Sequence, residues 1–397
     1  MLLYHQRFSI KCRHIMNLLA IVPSFYSEKG SSINERQLIV TLASKVEKCY
    51  VVTFVSFTQV FTKKRDELKI KLPKNIKVIP LPVPEVNTLI MHLMMIMFSC
   101  LMSLIGLIIN ALKPINLIYI RNSFLSIGPL TFDSLAKKSV VKIPAIIEDE
   151  VSGISRFIIG KIAPFIDRLA LSRARRIATT SKTFYNELVI RRRFTSKDEV
   201  LIVPAGISLE IIEKVKKQIR KSSKKNIEVG FLGSLAWWQG VEILVQAISL
   251  LNEKIHNLHL TIIGGGKSAV SIENLCKALN ISYEITGLLP HEEALKRLGM
   301  LDIMVLPRRR TPTTESIIPI KVIEAWALGV PVVVTKHRVF LENQIRNYED
   351  VVYCEPEPNS VANAIYLLIA NDKLRKKLEL NGPQLARQFD YERMAEK

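Results

Sequence analysis

The sequence predicts an α/β protein built from two Rossmann-like, doubly wound domains. Three observations carry that expectation. Strand-like and helix-like segments alternate along the chain, the pattern of parallel strands joined by helical crossovers. The 397 residues are enough for two domains of ordinary size, each with a core of its own. Hydrophobic residues make up 48% and charged residues 23%, a globular rather than a disordered balance.

The first good strand is Asn17–Val22, followed by a loop over 23–32 and a helix from about Ile33. Met16 opens that strand so directly that residues 1–15 read as an extension, with Met16 as the expected start. The apolar stretches of that opening segment are interrupted by charges, so it does not read as a signal peptide. Strand-like runs at 76–79 and 117–120 bracket a segment, 86–112, without Asp, Glu, Lys or Arg. By length it could cross a bilayer. A crossing would put two strands of one sheet on opposite sides of the membrane, so a single span is rejected. His92, Ser99, Ser103, Gly106 and Asn110 recur at separations of seven, four, three and four, which is one stripe on a helix. Two readings remain open: a deeply buried crossover helix, or one that packs by this seam and presents its Met- and Leu-rich face to lipid.

Charge bears on the same question. The formal net charge of +20 points to an anionic partner such as a nucleotide or a phospholipid surface. Arg173, Arg175 and Arg176, and then Arg191, Arg192 and Arg193, form two basic clusters, either headgroup sites or solvated faces. Nucleic acid is not expected, because no helix-turn-helix, zinc-finger or RNP-like pattern occurs. The five cysteines have no metal-ligand spacing, which speaks against a zinc site or a disulfide framework and fits a reducing cytoplasm. Residues 208–226, rich in Lys and Ser, read as a linker between domains 16–207 and 227–375. A final helix over 376–397 is expected to return toward the first domain.

The second half holds the most informative stretch, Thr314-Glu315-Ser316 through Thr335. It reads as a polar loop, a Pro-initiated helix, a Gly329 stop and a β-branched strand over 330–335. Free N–H groups at that helix N-terminus attract anions, phosphates above all. Glu324, mid-helix beside such a site, suits ribose hydroxyls. This pattern resembles the donor signature of the group 1 (family 4) glycosyltransferases, where the helix ends Glu-Ala-x-Ala-x-Gly-x-Pro-Val-Val, as residues 324–333 do here. Other landmarks fall in the same order. They are Ala178-Thr179-Thr180-Ser181-Lys182, Val203-Pro204-Ala205-Gly206-Ile207, Val229 to Glu242, Leu260 to Gly266, Ile285-Thr286-Gly287 and Leu301 to Pro307. The resemblance covers roughly residues 16–391 and implies the GT-B fold, with its two domains facing a central cleft.

The resemblance also implies site residues. Gly233, Gly265, Ile320, Lys321 and Glu324 take donor-binding positions. Relatives commonly carry Arg and Lys on the donor diphosphate where this chain has Ser234 and Gln239, so the cations are expected from Lys321 and then Arg308, with Arg309 and Arg310 beside it. The family's first paired glutamate falls on Ser316, with Glu315 one place off, and either is a candidate for the sugar hydroxyls. Gly30 and Ser31 occupy the place of the Gly-rich loop near the acceptor, without the usual double glycine. Glu148 and Asp149, after the strand-like 145–147, stand where relatives carry His-Asp. They are candidate proton acceptors at a strand end, or an exposed acidic turn. Trp237 and Trp238 read as packing or interface residues.

The expected function is a retaining glycosyltransferase. Its donor is a nucleotide-diphosphate sugar and its acceptor a lipid-linked or membrane-proximal glycan, with no metal or other cofactor required. It is expected at the inner face of the cell membrane, as a peripheral cytoplasmic protein. The rivals are a non-catalytic nucleotide-sugar-binding partner of another transferase, and a GT-B epimerase or phosphorylase.

Overall fold

The computed structural model describes residues 16–23, 25–26, 30–56, 72–84, 88–150, 153–194, 200–219 and 226–395. The expected extension 1–15, Lys29 and part of the Lys/Ser-rich stretch lie outside them. One sheet has the order β3-β2-β1-β4-β5-β6-β7. Its strands are β1 (Asn17–Val22), β2 (Lys48–Ser56), β3 (Ile76–Val83), β4 (Leu117–Arg121), β5 (Ser139–Lys142), β6 (Arg176–Thr179) and β7 (Val200–Ile202). The other sheet runs β10-β9-β8-β11-β12-β13. These are β8 (Ile227–Leu232), β9 (Leu258–Ile263), β10 (Tyr283–Ile285), β11 (Ile303–Leu306), β12 (Val332–Thr335) and β13 (Val352–Cys354). The pairings β1–β2, β1–β4, β2–β3 and β4–β5 are parallel, as are β8–β9, β8–β11 and β11–β12. Buried on both faces, β1 from Leu18 to Val22 and β12 from Val332 to Val334 are continuous apolar runs, as suits parallel strands.

Two compact units result. One gathers the described residues of 16–26, 39–143 and 153–177; the other gathers those of 30–38, 144–150 and 178–395. In the first, the helix Thr88–Leu112 crosses over between β3 and β4. His92, Ser99 and Ser103 are buried, and His92 meets the Phe124 ring edge-on with centroids 5.3 Å apart. The Gly128 N–H donates to Ser99 Oγ at 3.2 Å, and a Cβ on Gly128 would overlap the Ser99 carbonyl oxygen. The polar stripe is thus a close-packing seam. The opposite face, Met97 and Leu104 included, is exposed.

In the second unit the helix Ile320–Leu328 follows Pro319 and ends at Gly329, whose φ of 73° is the left-handed cap that glycine adopts without strain. Several sequence expectations change. The helix predicted from about Ile33 starts at Gly30, because small and polar residues serve well in a first turn. Residues 145–147 are not a strand: β5 stops at Lys142, Pro144 offers no N–H to a ladder, and a helical turn Ile147–Glu150 follows. The polar loop at 314–316 is a helical turn, Pro312–Ser316, held by a capping box between Thr311 and Thr314. Within the stretch read as a linker, Ser208 caps a helix, Leu209–Lys216, that buries Ile212 and Val215 in the core. Lys and Ser content disguised its apolar spacing.

Candidate functional site

In the second sheet the chain builds outward from β8 in one direction through β9 and β10, then returns to β11 and proceeds the other way. The reversal lies between β8 and β11, and open α/β sheets bind ligands at the carboxyl ends of such strands. Gly233 follows β8 there, and Arg308 follows β11 after Pro307. Gly233 has φ 141°, a conformation other residues rarely adopt, and a Cβ on it would collide with Lys321 Nζ. The backbone therefore passes directly under a cation. The loop after it is tied down, since Leu235 N–H donates to the Gly265 carbonyl at 3.1 Å and Arg309 N–H to the Trp238 carbonyl at 3.0 Å.

Two cations converge on this loop without carboxylate partners among the described residues. Arg308 is 8% exposed; its Nε has no hydrogen-bond partner among the described residues, and its Nη1 reaches only the Ile317 carbonyl at 3.4 Å. Burial pulls its pKa down to about 10. Lys321 sits in the first turn of the Ile320–Leu328 helix, with Nζ 4.8 Å from the centre of the Phe231 ring. Desolvation, then the Arg308 charge, lowers its pKa to about 7, with Glu324 opposing. Buried cations are normally paired, because an unpaired charge is costly out of water. A pair left uncompensated beside a glycine and a helix N-terminus can hold an anion. Gln239 adds a buried amide oxygen without a partner among the described residues, while Ser234 stands exposed on the loop.

One turn along the same helix, Glu324 is 4% exposed and shares a hydrogen bond with His291 Nε2 at 2.7 Å. Both line a small pocket with Ser208, Ile211, Ile212 and Leu295. Sequence reasoning missed His291; the signal available was a histidine directly after Leu289-Pro290, opening the helix His291–Gly299. Glu315 is not presented freely. It accepts from Arg310 Nη1 at 2.9 Å and Arg338 N–H at 2.8 Å, and lies 3.1 Å from His337 Nδ1. Burial raises its pKa, but the Arg338 N–H, His337 and Arg310 more than reverse that, leaving it below the usual range. His337, also missed from sequence, is pushed down to about 4, first by burial and against the pull of Glu315. The Ser316 hydroxyl donates to the Pro312 carbonyl at 2.6 Å, while its own carbonyl accepts from Ser181 Oγ at 2.6 Å. Ser316 therefore shapes the turn, and Ile320 packs partly buried against the core.

The other predicted residues lie elsewhere. Glu148 is gripped by both Arg192 nitrogens, at 2.6 and 2.9 Å, and Asp149 accepts from Arg191 at 3.1 Å. Burial raises the Glu148 pKa, yet the Arg192 bonds and charge bring it below the usual range. The Arg191–Arg193 cluster therefore differs from the headgroup reading in two of its members: Arg192 is buried, and both it and Arg191 are spent on carboxylates. Arg173 likewise pairs with Asp133 at 2.5 Å. Gly30 and Ser31 form the first turn of the helix Gly30–Ala43. Trp237 is exposed and meets Trp238 edge-on at 6.1 Å. Among the described residues no group of three His, Cys, Asp or Glu side chains is placed to hold a metal ion.

The fold has counterparts among solved structures. Over 96% of both chains the structure superposes on sucrose-phosphate synthase of Thermosynechococcus elongatus, with TM-score 0.73 at 18% identity. The fold is GT-B. A second GT-B structure, HepE of Anabaena in complex with UDP and glucose, matches at TM-score 0.69 and 15% identity, over 96% of this chain and 97% of that one. Residues 212–385, the GT-B half that holds Gly233, Arg308, Lys321 and Glu324, match the family model of glycosyl transferases group 1. An uncharacterized glycosyltransferase of Methanocaldococcus jannaschii is 25% identical over 215 residues, 53% of each chain. The chain spans about half the length of the curated relatives it matches.

Proposed function

We propose that the protein is a glycosyltransferase that moves a sugar from a nucleotide-diphosphate donor to a lipid-linked or membrane-proximal glycan, with retention at the anomeric carbon. The observation that carries this reading is the uncompensated Lys321–Arg308 pair beside Gly233 at the sheet's reversal point. The diphosphate lies against these cations and the N-terminus of the Ile320–Leu328 helix, which stabilise the charge that develops as it leaves. Glu324, oriented by His291, receives the ribose hydroxyls. UDP is the first donor nucleotide to test, because the HepE structure holds UDP and glucose. No metal is needed for charge neutralisation in this scheme.

The proton of the attacking hydroxyl needs an acceptor. Glu148 is held ionised and doubly hydrogen-bonded by Arg192, and Glu315 is enclosed by Arg310, His337 and Arg338, so neither is a good base. The donor's own phosphate oxygen remains, consistent with front-face attack and retention. A second reading, nucleotide-sugar binding without turnover, draws on the same enclosure of Glu315 and on Ser234 and Gln239 at positions where relatives have cations. The test is incubation with nucleotide sugars and a membrane lipid extract, followed by NMR assignment of the product's anomeric configuration. Retained configuration supports the transferase; an inverted product contradicts retention, and donor binding without any product favours the second reading. The site of action that follows is the cytoplasmic face of the membrane, where nucleotide sugar and lipid-linked acceptor meet.

A further inference from the structure

We infer that two neighbouring helices of the first unit form a docking surface for an anionic bilayer, lying in its interface rather than crossing it. The first is Thr88–Leu112. Its window from Ile90 to Leu112 has mean hydropathy 2.3 and is long enough to span, yet its seam is packed on the Ser123–Thr131 segment through His92, Ser99 and Ser103. What remains outward is a stripe of Ile90, Leu93, Met97, Leu101, Leu104 and Ile108, with Met97 62% and Leu104 55% exposed. Such spacing is one helical face, and no charge interrupts it.

The second helix, Gly153–Arg173, packs against the first and against the Ser123–Thr131 segment between them. It is buried through Ile159, Ala163, Ile166 and Ala170. Its outer stripe runs Ile154, Phe157, Lys161, Phe165 and Arg168, with Ile154 77%, Phe157 65% and Phe165 72% exposed. Aromatic rings and cations alternate there, and Lys161 Nζ stands 4.1 Å over the Phe157 ring. Arg156 is exposed beside them, and the helix's one acidic residue, Asp167, is buried on Ser123. An apolar ridge flanked by aromatic and basic side chains matches the interface of an anionic membrane, where rings sit at headgroup depth and cations meet phosphate. A protein partner of ordinary kind would more often be met by mixed charge. This deepens the transferase reading, on which its use in presenting a membrane-bound acceptor rests.

Vesicle flotation of the full chain tests it, with phosphatidylcholine vesicles alone or mixed with phosphatidylglycerol. The folded protein floats with the mixed vesicles. The pair Met97→Glu and Leu104→Glu weakens partitioning at least about tenfold, since each apolar side chain withdrawn from the interface forfeits that much or more. The pair Arg156→Ala and Lys161→Ala weakens binding to the mixed vesicles about fivefold per charge, corresponding to about 1 kcal/mol each. Flotation unchanged in the Glu variants overturns the proposal, as does no flotation of the wild type. A dimer in analytical ultracentrifugation that the Glu variants dissolve also overturns it, because a second copy then covers the face. Thermal shifts by nucleoside diphosphates are run on the same samples: intact shifts with failed flotation sink the docking surface alone, and lost shifts sink the donor site.

Discussion

Replacing Lys321 by Met should make the protein more stable and unable to hold its donor. The ammonium is taken from an ordinary pKa of 10.5 to about 7, chiefly by desolvation. At about 1.4 kcal/mol per pH unit, that change corresponds to a folding cost of up to about 5 kcal/mol. The side chain keeps some solvent contact, so screening relieves about half of it. Losing the contact with Phe231 takes back about 0.5–1 kcal/mol. A net gain of about 1–2 kcal/mol remains, a Tm rise of about 3–6 °C for a domain of this size. The size of the gain depends on pH. Between about 7 and 10.5 the unfolded chain holds a proton at Lys321 that the folded one has lost, so wild-type stability rises with pH there. The advantage of the variant is therefore greatest at or below pH 7 and shrinks toward pH 10. Differential scanning calorimetry across pH 6–9.5 measures it. A Met variant less stable than wild type at pH 7, or an advantage that grows with pH, would refute the account of Lys321 as an unpaired, largely desolvated cation.

Three further outcomes follow from the same geometry. Affinity for the intact nucleotide sugar, whose phosphates do not titrate near neutrality, should fall as pH rises through about 7, approaching tenfold per pH unit, because binding requires protonated Lys321; calorimetric proton uptake at pH 8 checks it. His291→Ala should leave folding intact but weaken nucleoside diphosphates about three- to tenfold, by releasing Glu324, whereas His291→Gln restores part of the loss. Gly128→Ala should destabilise by about 2–3 kcal/mol in urea unfolding, since its methyl group would push into the Ser99 carbonyl and open the helix seam.

Much of the architecture could be read from residues. The β-branched run 330–335, the glycine stop and the alternation of elements correspond to β12, the left-handed Gly329 and two parallel sheets. The stripe from His92 to Asn110 marked the packing face of its helix, because small residues there permit close approach. Local composition misled where partners are distant in sequence. Glu148 and Arg192 lie 44 residues apart, so neither the acidic turn nor the basic cluster announced that each is the other's counter-charge. His291 and Glu324, 33 apart, were equally silent. The helix within the stretch read as a linker went unseen for another reason: charged residues on its solvent face obscured Ile212 and Val215 on its buried face.

The central claim is that a nucleoside diphosphate binds at Gly233, Arg308, Lys321 and Glu324. Thermal unfolding of the wild type, Glu324→Ala and Lys321→Met against UDP, GDP, ADP and TDP tests it most directly. A ligand at about a hundred times its Kd stabilises by about 2.7 kcal/mol. The account predicts that one nucleotide raises the wild-type Tm and that both variants lose that rise while remaining folded. A rise preserved in both variants, or none with any nucleotide, contradicts it.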